Sequence, residues 1–219
     1  MPVDESLAPR TYFDLEGLAF ADLLDVPHAW EALGARLTAW LARHLRPGID
    51  GHVAEGAWLV GEDIQIGEGS VVEPGAYVKG PCFIGRNVEV RHGAYVRGHA
   101  VIGDGCVVGH ATEVKGSIFL PGAKAGHFAY VGDSILGRDV NLGAGTKLAN
   151  LRLQGDMITI RVGGQIIPTG LRKLGAILGD SCQLGCNSVT NPGTLLGPGT
   201  MVAPCLAVSG VHPPRSILR

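Results

Sequence analysis

With 219 residues, 46% of them apolar, the chain has material for one or two domains and a sizeable core. Charged residues make up only 17% and the formal net charge is −2, so there is no basic footprint for nucleic acid. No apolar run is long enough for a membrane span and no signal-peptide pattern is present, so the expected protein is soluble and cytoplasmic. Thirty-four Gly and 13 Pro would suggest disorder, but the glycines fall in register, which favours an ordered solenoid.

Residues 1–10 read as a loose arm. Residues 11–46 are poor in Gly and rich in Leu, Ala and Trp, and Trp30, Leu33, Leu37, Trp40 and Leu41 form one apolar helical stripe. Pro27 near its start and Pro47-Gly48 past its end are natural boundaries, and a shorter helix is predicted around Leu18 to Leu24. Residues 1–50 are therefore expected to be a helical cap over the open first coil of the repeat region beyond them, protecting an unpaired edge.

From Val60 to Val114 an aliphatic residue recurs every six positions: Val60, Ile66, Val72, Val78, Ile84, Val90, Val96, Ile102, Val108 and Val114. Gly often follows, and a small residue stands four places on (Ser70, Ala76, Cys82, Ala94, Ala100, Cys106, Thr112). Neither a helix nor a half-buried strand has this period; a parallel β-helix does. Three sixes make one coil of a three-sided prism, with the aliphatic residue inside and the small one at the turn, stacked about 4.8 Å on the next coil. Cys82, Cys106 and Cys182 take the small inward slot, so packing accounts for them better than redox chemistry or zinc, and no metal is expected.

The frame then slips twice. Phe119, Ala125 and Val131 come one residue early, and Leu136, Leu142 and Leu148 one earlier again. Such breaks re-aim side chains, as bulges do, and are where function tends to lie. Residues 149–175 interrupt the repeat: residues 157–162, Gly163-Gly164 and residues 165–167 read as a hairpin leaving the prism, toward a neighbouring subunit. Sixes resume at Leu178, Leu184, Thr190, Leu196, Val202 and Val208, Thr190 being the weak member, and residues 210–219 read as a tail without a pattern, in a place to close the last coil. The expected boundaries are thus a cap over 1–50, a β-helix over 51–209 and a tail over 210–219.

Positions eighteen apart stack on one face. Lys79, Arg97 and Lys115 form such a column, and Arg91 takes the same kind of slot on another edge. Stacked cations repel, so they are either a solvated ladder or a site for something anionic. His92, His110 and, once the slip is counted, His127 form a second column. It admits a surface ladder, an inter-chain metal site, or, for His127, a general base.

The stretch Glu113-Val114-Lys115, then residues 124–133 (Lys-Ala-Gly-His-Phe-Ala-Tyr-Val-Gly-Asp), then Val140-Asn141-Leu142-Gly143-Ala144-Gly145-Thr146, ending at Asn150, goes beyond a generic hexapeptide. It resembles the C-terminal acetyltransferase domain of the bifunctional N-acetylglucosamine-1-phosphate uridylyltransferase/glucosamine-1-phosphate acetyltransferases, and residues 149–152 with 169–175 look closer to the archaeal sugar-1-phosphate nucleotidylyltransferase/acetyltransferase branch. The likeness covers roughly residues 55–205. It implies a mainly β, single-stranded left-handed parallel β-helix, a homotrimer with sites between subunits, and acetyl-CoA as donor to an amino-sugar 1-phosphate or nucleotide-linked amino sugar. Another acceptor, or a non-catalytic scaffold, is the alternative.

Carried over position by position, the resemblance implies His127 as catalytic base, Glu113 as its supporting carboxylate and Asn150 as a further catalytic-site residue. It implies Arg91, Lys115, Tyr130 and Asn141 as substrate contacts and Ala144 backbone facing the acyl donor. The family's lysines after Asn150 would fall on Asp156, Met157, Ile158 and Thr159, so Arg152, Arg161, Arg172 or Lys173 must supply that charge; Arg172 and Lys173 are assigned to the coenzyme. A Gly-rich nucleotide triphosphate loop is absent, and helical sequence stands where that domain would be.

Overall fold

The computed structural model describes residues 3–219. Three parallel sheets wind into a three-sided β-helix: face A, nine strands from Gly48–Ile49 to Val211–His212; face B, nine from His52–Val53 to Ile217–Leu218; and face C, eight from Trp58–Val60 to Ala207–Val208. Each strand pairs with its counterpart one coil away, Ile66 with Ile84 and Val90 with Val108 at eighteen-residue spacing. The inward column is the one the period predicts, with the aliphatic residues from Ile66 to Val208 buried. The first member differs. Val60 pairs with Lys79, and Leu59, opposite Val78, packs on the core instead. Thr190 also faces inward, and its buried hydroxyl finds no partner among the described residues.

Both shortened steps fall at the corner from face C to face A. Val114 to Phe119 and Val131 to Leu136 are five residues rather than six, and the register drops to seventeen (Ile102 with Phe119, Val114 with Val131). The hairpin leaves from the same corner, between Lys147–Leu148 on face C and Ala176–Leu178 on face A. It does not reach outward. Thr159–Val162 and Gln165–Pro168 pair with each other, and Ile158 and Ile160 bury against the outer side of face A with Leu174, Ile177 and Leu195.

The N-terminal segment likewise covers a side rather than an end. Helices α1 (Val3–Leu7) and α2 (Pro9–Tyr12) replace the predicted loose arm over the described residues, Met1 and Pro2 lying outside them. A 3-10 turn occupies Ala21–Leu24 and another Ala29–Ala32; the positive φ of Gly34 then breaks the predicted single helix, and α3 runs Ala35–His44. Leu7, Tyr12, Phe20, Trp30, Leu37 and Leu41 bury against the outer side chains of face A, among them Val101, Ile118, Ile135 and Ile177. The physical reason is that face A is apolar on both sides (Ala100-Val101-Ile102 and Thr194-Leu195-Leu196 are buried throughout), as in a sheet covered on both faces. Polar ties fix the strap: Asp180 accepts the Asp14 and Arg138 N–H groups at 2.7 Å each, and Arg138 donates to the Asp14 and Glu16 carbonyls at 2.9 and 2.6 Å. Burial raises the Asp180 carboxyl above its ordinary range.

Residues 210–219 close the last coil. Val211–His212 and Ile217–Leu218 add the last rungs of faces A and B. Burial pushes the Cys82, Cys106 and Cys182 thiols up to about 12, whereas Cys186 and Cys205 are exposed. Iodoacetamide at pH 8 is accordingly expected to alkylate Cys186 and Cys205 of the native protein and spare the other three, read by peptide mass spectrometry; rapid labelling of Cys106 would contradict the packed interior.

Candidate functional site

The corner from face B to face C carries the histidine column. His92 and His110 stack with ring centroids 5.5 Å apart, and their Nδ1 atoms bond the Pro74 carbonyl at 2.6 Å and the His92 carbonyl at 2.9 Å. These two are rungs held by the coil before. His127 shares the register of His110, yet its exposed ring makes no hydrogen bond within the described residues and only leans on Phe128. Of the three column imidazoles, it is the one left to meet a ligand. One rung further, Gly143 donates its N–H to Leu184 and Gly145 to His127, while the Ala144 N–H between them has no backbone acceptor among the described residues. An unbonded imidazole and an unbonded amide donor thus share one corner.

The backbone reason for this corner is glycine. A Cβ on Gly109 would overlap the Gly126 carbonyl of the next coil, so the strand before His110 comes closer to the strand before His127 than any side chain allows.

Face C supplies the polar neighbours. Tyr130 stands between Glu113 and Lys147 in one outward column. Glu113 does not support His127: its carboxylate takes a 2.7 Å ion pair with Arg97. Lys115 bonds both Asp133 oxygens at 2.8 and 2.9 Å, and the Asn150 amide donates to the same carboxylate. Gly132 leaves room for the Tyr130 hydroxyl and the Asn150 amide to approach over the strand. Burial first, and then the Glu113 and Asp133 charges, raise the Tyr130 hydroxyl above its ordinary value, so it stays a proton donor across the neutral range.

Other expected residues are elsewhere. Arg91 pairs with Glu89 at 2.7 Å on face B, away from Lys115, and Asn141 is exposed on face B between Lys124 and Gln183. Arg97, in the eighteen-spaced column with Lys115, is the arginine that reaches face C. Arg172 and Lys173 precede Leu174, whose N–H bonds the Asn150 carbonyl; they sit at the C-to-A corner and not beside Ala144. Asp133 has no role in the sequence reading, although its place eighteen after Lys115 puts it on the adjoining rung.

Two cavities flank the Tyr130–Asn150 ridge. One of about 360 Å³ is lined by Phe128, Tyr130, Lys147, Ala149, Asn150 and Leu151. Another of about 260 Å³ lies at the C-to-A corner among Arg97, His99, Lys115 and Asp133, with Gly34, Leu37 and Thr38 over it. A larger cavity, about 940 Å³, runs under the N-terminal strap by Asp180, far from this chemistry. Among the described residues no cluster of three or more His, Cys, Asp or Glu side chains is arranged to hold a metal ion, and no helix is long and apolar enough to cross a membrane.

A prism is convex, so Arg91 and Asn141 on face B diverge from Tyr130 and Lys115 on face C.

The fold defines a three-sided parallel β-helix built on six-residue repeats. Residues 78–168 match the family model described as the GMPPB C-terminal domain. The chain is 40% identical over 93 residues to a bifunctional sugar-1-phosphate nucleotidylyltransferase/acetyltransferase of Sulfurisphaera tokodaii, covering 42% of this chain and 23% of that protein. It is 38% identical over 92 residues to the bifunctional protein GlmU of Methanococcus vannielii, covering 42% and 22%. The match thus spans about a quarter of the length of these curated relatives. Among solved structures, the UDP-N-acetylglucosamine acyltransferase from Campylobacter jejuni aligns with a TM-score of 0.39 at 18% identity, over 74% of this chain and 69% of that one.

Proposed function

We propose that the chain is an acetyl-CoA-dependent N-acetyltransferase whose acceptor is an amino sugar bearing a phosphate, working at a seam between copies of a homotrimer. The observation that carries this is the unbonded His127 imidazole beside the unbonded Ala144 N–H on one corner, with Tyr130, Asn150, Lys115 and Arg97 across face C. The likeness of residues 78–168 to proteins named as acetyltransferases supports it.

In this reading His127 takes a proton from the attacking amine as its nitrogen bonds the thioester carbonyl carbon. The Ala144 N–H receives the negative charge that gathers on the carbonyl oxygen. The C–S bond then breaks, an amide remains, and the thiolate of coenzyme A leaves with the proton that His127 returns. Tyr130, protonated, donates to an acceptor oxygen, and Arg97 and Lys115 face its phosphate, though both must share their charge with Glu113 and Asp133. Holding two reactants together accounts for much of the rate.

The direct test is ligand-induced stabilisation. Acetyl-CoA at 100 times its dissociation constant should stabilise the protein by about 2.7 kcal/mol, and glucosamine 1-phosphate should add to it. No shift with either ligand would leave only a scaffold. Within the same scheme, Arg97→Ala should raise the acceptor KM about tenfold or more with kcat little changed, while Arg91→Ala should leave that KM alone; the reverse ranking would return the phosphate to face B.

A further inference from the structure

Three departures from the repeat meet at one corner. Between faces C and A the two five-residue steps shorten the coil, the hairpin departs, and the start of α3 lies across the gap. The cavity at this corner has a floor from the β-helix (Arg97, His99, Lys115, Asp133) and a roof from residues 34–38, which lie outside the 78–168 segment shared with the relatives. The roof is held in place: Leu37 and Leu41 are fully buried against face A, and Arg36 donates to the Leu23, Asp22 and Asp25 carbonyls at 2.9, 2.6 and 3.1 Å. Thr38 is the polar side chain of this roof. It is exposed, and its hydroxyl bonds the Gly34 carbonyl at 3.1 Å.

We infer that α3 is a size filter on the acceptor site, with Thr38 a specificity-determining residue. It admits a sugar monophosphate and excludes a nucleotide-linked amino sugar. This rests on the acetyltransferase reading above. The physical ground is room. Residues 34–38 close one side of the cavity of about 260 Å³ whose floor carries Arg97 and Lys115. A phosphate and part of a ring fit between the cations and Thr38. A second phosphate carrying a nucleoside, if it runs past this side, has to displace the start of α3, which cannot yield without uncovering Leu37 and Leu41. The filter therefore belongs to this chain's N-terminal strap and not to the segment it shares with the relatives.

The experiment uses the full chain with coenzyme A present, and titrates glucosamine 1-phosphate and UDP-glucosamine calorimetrically. The monophosphate should bind at least about tenfold tighter. Thr38→Trp, filling the gap, should weaken the monophosphate at least about tenfold, raise its KM in the transfer assay, and leave both the coenzyme A affinity and the pH profile unmoved. Thr38→Gly should narrow the preference between the two probes. Equal or tighter binding of UDP-glucosamine by the wild type overturns the filter while coenzyme A binding keeps the acetyltransferase reading intact. Unchanged monophosphate affinity in a folded Thr38→Trp overturns it too. Loss of coenzyme A and monophosphate binding alike in the wild type overturns the underlying reading, and the filter with it.

Discussion

Replacing His127 by alanine is expected to lower kcat for acetyl transfer by about 10² to 10⁴ while leaving the melting temperature and acetyl-CoA affinity close to wild type. The size follows from the proposed role, in which only a proton relay is lost while positioning and the Ala144 donor remain. The fold should not notice, because the ring is exposed and forms no hydrogen bond with the described residues. His110→Ala is the instructive companion. Its ring stacks on His92 and holds a backbone carbonyl at 2.9 Å, so its loss should appear in stability before it appears in chemistry. Full activity in His127→Ala would falsify the base assignment, and a variant that melts early would move the residue from chemistry to architecture. Glu113→Gln should have a smaller effect than a supporting carboxylate would predict, since that side chain is engaged with Arg97.

The second large effect is structural. Gly109→Ala should destabilise the protein by about 3 kcal/mol, seen as a fall of about 6 to 12 °C in Tm for a chain of this size. The added methyl would be driven into the Gly126 carbonyl of the next coil, and backbone cannot rotate aside as a side chain can. Gly126→Ala is the control. A Cβ there meets nothing within 4 Å, so its Tm should stay within about 2 to 4 °C of wild type. Comparable losses in the two variants would mean that the strands do not approach as described. The asymmetry matters for function because the two glycines immediately precede His110 and His127, and their closeness fixes where the corner points.

The inward column is legible in the sequence because it repeats a local rule: one aliphatic residue per edge, a small residue at each turn, and a count that shows where an edge is a residue short. The strap shows the limit of reading only that column. After Gln65, the residues just before the inward ones on face A are apolar without a break (Phe83, Val101, Ile118, Ile135, Ile177 and Leu195), whereas the equivalent places on faces B and C mix Glu89, Lys124, Asn141, Glu113 and Lys147 with Val71, Val107, Tyr95 and Val189. That contrast is present in the sequence and says which side needs a cover. Without it, the helices are expected at the open end and the hairpin is expected to reach another copy; both fold back onto face A. The same limit applies to Arg91 and Arg97. Each follows an inward valine, and only the register with Glu113 and Lys115 tells which of them shares a face with Tyr130.

What the linear order of residues determines by itself is the winding. Inward aliphatics, turn-sized small residues and glycines recur within a few positions of one another, so each coil is specified locally and the imidazole of His127 is turned outward. What only the assembled structure decides is partnership. Whether Glu113 meets His127 or Arg97, whether Lys115 is free or held by Asp133, and whether α3 caps an end or roofs a cavity depend on side chains a coil or more away. Those contacts run across the stack, where the short steps at one corner shift the register, and no local pattern carries that information.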